Sequence, residues 1–166
     1  MEIGLKQFFL PNPRSRFVKR ALLLALCAFV WFRFVMSPAW VAGRSMEPTY
    51  RDRSLVFYLP WLPRLREPQV GDVVMLRMAG RRVMLLKRVV ALPGDRMEIR
   101  AGQLYVNGER KVEPYVEYNA GWHLPPRTVD PGNIYVIGDN RGIPMENHDF
   151  GQTEKSRIAG YPLRKR

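Results

Sequence analysis

The chain has 166 residues, room for one domain of ordinary size plus a short anchor. Its 14 prolines and 13 glycines favour short strands and turns over a helical bundle. A formal net charge of +12 attracts polyanions, but no zinc-ligand spacing, arginine-rich helix or RNA-binding aromatic pattern accompanies it, so a negative membrane surface fits the charge better than nucleic acid does.

From the N-terminus, residues 1–16 form a basic segment carrying Lys6, Arg14 and Arg16, expected on the cytoplasmic side. Residues 17–42 read as a transmembrane anchor: 21–36 are apolar except for Arg33, and a helix over 17–40 would exceed the roughly 20 residues a bilayer requires. Lys19 and Arg20 would lie at one headgroup layer, Arg33 would snorkel towards the other, and Trp31 and Trp40 suit an interfacial belt. A cleaved signal peptide and a buried core helix compete with this reading; the basic residues 14–20 favour a retained anchor. Residues 43–166 would then form a domain on the far side. The only cysteine, Cys27, lies in the apolar run, which excludes an intrachain disulfide, and with two isolated histidines no metal or other cofactor is expected.

Beyond the anchor the sequence predicts strands over 54–59, 72–78, 83–92, 96–100, 103–106 and 133–138. Turns are marked by Ala79-Gly80-Arg81, Pro93-Gly94-Asp95 and Asn107-Gly108. The fold class is mainly β, a compact barrel or sandwich behind one N-terminal transmembrane helix. Residues 56–65 carry three aromatics, Phe57, Tyr58 and Trp61, which fit either ordinary core or a lip dipping into the membrane at Trp61.

In the strand over 83–92, alternation puts Val83, Leu85, Lys87, Val89 and Ala91 on one face. A lysine in such an apolar row loses solvation, its pKa falls, and the neutral amine can take a proton from a serine hydroxyl. Arg88 cannot serve, because guanidinium keeps its proton. The competing reading is a strand-edge lysine that snorkels to water. Among the serines, Ser45 follows the anchor directly, in a turn with a glycine before it and Pro48 after it.

Together these segments resemble the type I signal peptidases. The nucleophile box of that family appears as Ser45-Met46-Glu47-Pro48-Thr49, the next as Gly71-Asp72-Val73-Val74, the base-bearing box as Lys87-Arg88 with Pro93-Gly94-Asp95 and Asn107-Gly108, and the last opens with Gly138-Asp139-Asn140-Arg141. The resemblance implies a serine–lysine dyad, Ser45 as nucleophile and Lys87 as general base, cleaving signal sequences from exported preproteins after small residues. It also implies a single-pass protein of the bacterial inner membrane, with preprotein and membrane lipid as partners. The Ser45 N–H would supply one oxyanion donor. Gly43, where many members carry a hydroxyl, and Met46 are candidate oxyanion- or substrate-binding residues, and Arg88, Asp139, Asn140 and Glu146 are candidate supporting residues.

The last box departs from the family pattern. An ungapped match sets Pro144 where the family has the serine that bonds the lysine, Glu146 at the carboxylate, Asn147 at a second serine and His148 at an arginine. The departures admit two alternatives, a peptidase dedicated to a pilin precursor in a conjugation system and a catalytically degenerate binding protein of the same fold. A Ser45–His148 pair backed by a carboxylate would satisfy triad logic, but His148, like His123, reads as a loop residue at the surface.

Overall fold

The structure, a computed structural model, describes residues 13–77 and 84–163. The residues expected to form the cytoplasmic segment up to 12, the Ala79-Gly80-Arg81 turn, Val83 and residues 164–166 lie outside the described residues.

Helix α1 runs over Pro13–Val30 and continues as π-helical turns over Trp31–Val35, where the Met36 N–H donates to the Trp31 carbonyl at 3.0 Å. The expected helix over 17–40 is therefore shorter than predicted. Pro38 disfavours helical backbone at Ser37, the Ser37 hydroxyl donates to the Phe32 carbonyl at 2.9 Å, and Ser37–Trp40 turns into strand β1. At about 1.5 Å per residue, α1 is roughly 27 Å long, and it includes Arg16, Lys19 and Arg20. Among the described residues, no helix is long and apolar enough to cross a membrane. The predicted membrane span over 17–42 is thus corrected over residues 36–42, which are strand and loop.

The remaining strands are β2 (Leu55–Leu59), β3 (Val73–Arg77), β4 (Met84–Ala91), β5 (Arg96–Arg100), β6 (Gln103–Val106), β7 (Glu109–Arg110), β8 (Leu124–Thr128), β9 (Asn133–Ile137), β10 (Gly151–Glu154) and β11 (Ile158–Pro162). They form a seven-stranded sheet in the order β1-β2-β11-β3-β4-β9-β10 and a four-stranded sheet in the order β7-β6-β5-β8. The mainly β reading holds. The smaller sheet occupies residues 96–128.

Alternation along β3 and β4 gives the large sheet two apolar faces. On one, Met75 and Leu86 pack with Val41, Met46, Tyr50 and Val56. On the other, Val74, Leu76 and Val89 pack with Ile134, Val136 and Ile158. Lys87 lies directly opposite Val74 and so shares this second face with Leu85 and Val89. The expected face ends there. Between Val89 and Ala91 the register against β9 shifts, and Val90 and Ala91 both join the core under the smaller sheet, with Met97, Ile99 and Trp122. A bulge of this kind bends the strand, and it lies beside the lysine.

Candidate active site

The loop after β1 carries Ser45. Gly43 adopts φ +105°, which a side-chain-bearing residue rarely tolerates, and its N–H donates to Asp52 Oδ1 at 2.8 Å. The chain then turns tightly, with Glu47 N–H donating to the Arg44 carbonyl at 3.1 Å and Tyr50 N–H to the Met46 carbonyl at 2.9 Å. Met46 plunges into the core at 1% exposed, anchoring one side of Ser45, while Ser45 itself remains half-buried.

Lys87 meets it from β4. Nζ lies 3.0 Å from Ser45 Oγ, and the lysine is 2% exposed. Burial lowers its pKa to about 8, against the opposing pull of Asp149 and Asp139. The strand-edge alternative, in which this side chain reached water, does not describe the fold.

Asp139 ties the two halves of the site together. Fully buried at the end of β9, it accepts from Arg88 Nε at 2.8 Å and Nη2 at 2.6 Å, a two-point ion pair on the residue next to Lys87. It also accepts from Thr49 Oγ1 at 2.5 Å, four residues beyond Ser45. Asn140 adds two bonds to the serine loop: its N–H donates to the Ser45 carbonyl at 3.0 Å and its Nδ2 to the Arg44 carbonyl at 3.1 Å. Arg88 also donates to the Gly71 carbonyl at 2.7 Å and lies 3.8 Å from the centre of the Tyr115 ring. Tyr115 donates to Glu113, which pairs at 2.7 Å with the buried Arg141.

Gly138 shows how closely these parts approach. A Cβ placed there would be 2.3 Å from the Ser45 carbonyl oxygen and 2.6 Å from both Cε1 and Nε2 of His148. Only glycine fits between the Ser45 backbone and that ring.

The structure brings Ser45, Lys87, Arg88, Asp139 and Asn140 together as the sequence suggested. It corrects three other residues. Glu146 is exposed in a helical turn over Met145–Asn147, and the carboxylates acting on Lys87 are Asp149 and Asp139. The Gly43 N–H is committed to Asp52 and so is no oxyanion donor, while Gly43 still borders the cavity beside Ser45. His148 is no surface residue: it is 6% exposed, edge-on to Trp122 with ring centres 4.9 Å apart. Thr49, Glu113 and Tyr115 were missed. Thr49 stood within a recognised motif, whereas nothing in the local sequence marks Glu113 or Tyr115.

A family model described as "Signal peptidase, peptidase S26" matches residues 14–162. The chain belongs to this family. A signal peptidase I of Bacillus licheniformis is 31% identical over 160 residues, covering 90% of this chain and 86% of the relative. The signal peptidase I S of Bacillus subtilis is 34% identical over 154 residues, covering 85% and 83%. A solved signal peptidase I from Enterococcus faecalis is 24% identical, with 58% of this chain and 97% of that one covered at a TM-score of 0.47. As a signal peptidase of the S26 family, the chain is a serine endopeptidase.

Proposed function

We propose that this signal peptidase removes signal sequences from exported preproteins by a dyad in which Ser45 is the nucleophile and Lys87 the general base. The observation that carries the reading is a lysine amine, 2% exposed, 3.0 Å from a serine hydroxyl. Neutral Lys87 takes the hydroxyl proton as Ser45 Oγ attacks the scissile carbonyl carbon. The carbonyl oxygen, now negative, accepts from the Ser45 N–H. Collapse breaks the C–N bond, and the ammonium of Lys87 returns its proton to the leaving amine. Water then attacks the Ser45 ester, giving a proton to Lys87, which passes it back to Oγ as the serine leaves.

Selection for small residues is supported by a cavity of about 30 Å³ beside the nucleophile, lined by Ala42, Gly43, Ser45, Met46, Met84 and Leu86. So small a cavity suits a short side chain better than a bulky one. Membrane association is supported by the exposed apolar side chains of Leu22, Leu23, Leu24, Leu26, Phe29, Trp31, Phe32 and Phe34, and of Trp61 and of Trp40 beside the serine loop. The Trp61 indole donates to the Val35 carbonyl at 2.9 Å, holding the helix end against the catalytic domain. The N-terminal basic residues then face the cytoplasm, and residues 43–166 the opposite side of the bacterial inner membrane.

The test is cleavage of a preprotein in detergent micelles. Ser45→Ala and Lys87→Ala should each abolish it, and replacing the residue before the cut, Ala to Leu, should do the same with the wild-type enzyme. Full cleavage by either protein variant would remove the dyad.

A further inference from the structure

The dyad lies between two cavities of very different size. The one of about 30 Å³ is bordered by Ser45, and a second, of about 340 Å³, is bordered by Lys87. Leu85 borders both, so the two meet at β4, the strand that carries the lysine. The dyad chemistry uses only the smaller one.

The lining of the larger cavity is mixed. Leu76, Leu85 and Val136 come from the second apolar face of the large sheet. Asp149, just before β10, and Glu154, its last residue, bring two exposed carboxylates, and the exposed Arg157 brings one guanidinium. Glu154 accepts from Ser156 Oγ at 2.9 Å, a neutral donor that leaves the carboxylate charge in place. With Lys87 neutral, two carboxylates against one guanidinium leave a negative excess, on a chain whose net charge is +12.

The leaving group decides what passes through such a space. As the tetrahedral intermediate collapses, Lys87 Nζ gives its proton to the scissile nitrogen, so that nitrogen must come within hydrogen-bond reach of Nζ. The acyl residue stays on Ser45, whereas the nitrogen belongs to the first residue of the mature chain, which departs past Lys87. The small cavity therefore faces the residue before the cut, and the large one faces the residues after it. A long basic side chain matches the second: its methylene stem can lie on Leu76, Leu85 and Val136 while its charged head stays wet beside the carboxylates. An acidic side chain would meet like charge there.

We propose that the cavity between Lys87 and β10 is a specificity subsite for the leaving segment, taking a lysine or arginine side chain from the first three residues after the cut, with Glu154 and Asp149 as its charge-selecting groups. This rests on the dyad reading above, because the direction of the chain follows from Lys87 acting as the acid.

The experiment uses the full-length enzyme in detergent micelles. Its substrates are preproteins that share one signal sequence and the alanine before the cut, with lysine, glutamate or glycine at each of the three positions after it. At about pH 9, above the Lys87 pKa of about 8, kcat/KM for the best-placed lysine should exceed that for glutamate at the same position by about tenfold, with glycine between them. The preference should shrink in high salt. Glu154→Lys should bring the ratio to about one or invert it, and Glu154→Gln should reduce it part-way, with Tm showing that both variants are folded. Equal rates for lysine and glutamate at all three positions, or a ratio unchanged in both folded Glu154 variants, overturns the proposal. Loss of cleavage in Ser45→Ala and Lys87→Ala alongside such a result would leave the dyad standing, so the two failures are distinguishable.

Discussion

Burying Lys87 has opposite consequences for catalysis and for stability. The pKa of about 8 makes a substantial fraction of the amine neutral near physiological pH, so kcat/KM should rise through an acid limb near pH 8 as the base forms; a profile flat from pH 6 to 10 would exclude a lysine base. The same shift means that the unfolded chain binds more protons than the folded one between pH 8 and the ordinary lysine value of 10.5. Below that window the fold carries a buried ammonium at a cost of roughly 3 kcal/mol. Lys87→Met, which keeps the length and removes the charge, should therefore be inactive yet raise Tm by several degrees at pH 7, a gain that shrinks as pH climbs from 8 to 10.5. Gly138 is the complementary case. Its Cβ would strike the Ser45 carbonyl, which is backbone and cannot swing aside. Gly138→Ala should cost about 1–3 kcal/mol and lower kcat roughly a hundredfold, measured by denaturant melts and steady-state cleavage.

At the scale of elements, three independent segments must be brought into register: the loop after β1, strand β4, and the turn after β9. Asp139 accomplishes much of this by bonding Arg88 on one side and Thr49 on the other. Asp139→Asn keeps the shape but leaves the Arg88 guanidinium, 11% exposed, without its anion. It should cost about 3–5 kcal/mol and depress kcat at least as strongly as it destabilises the fold, checked by melts beside kinetics. These elements were unequally legible in the sequence. β2, β5 and β6 stand as β-prone runs bounded by turn residues, and local pattern suffices for them. β8 has two prolines, β10 is polar, and β11 contains Gly160; they are strands because neighbouring strands pair with them, which local pattern does not encode. The apolar face of β4 was read correctly as far as Val89, where a one-residue bulge reverses the alternation. Ser45 and Lys87 were legible because their chemistry is local in motif. His148 and Glu146 were misread for a shared reason: an ungapped match fixes position along the chain, while the short turn over Met145–Asn147 decides which side chain turns inward.

For the molecule as a whole, the apolar and basic surfaces define one further test. Trp40 is 72% exposed and lies directly across from Leu55 on the strand pair beside the serine loop; Trp61 and Leu65 are exposed apolar residues beyond β2, and Arg51, Arg53 and Arg64 are exposed on the same two segments. Partitioning of such a surface into a bilayer gains from the aromatic side chains regardless of lipid charge, whereas the arginines respond to anionic headgroups and are screened by salt. Full-length protein reconstituted with phosphatidylcholine vesicles should associate through α1 alone, and Trp40→Ser with Trp61→Ser should leave that association intact. The double variant should nevertheless cleave a membrane-inserted preprotein more slowly than wild type, while cleaving a short soluble peptide at the same rate. The division follows from the proposed membrane association, in which α1 would hold the enzyme at the membrane and the tryptophan face would set how close Ser45 comes to a cut site emerging from it. Equal loss on both substrates would assign the tryptophans to the fold of the serine loop instead of to the lipid surface.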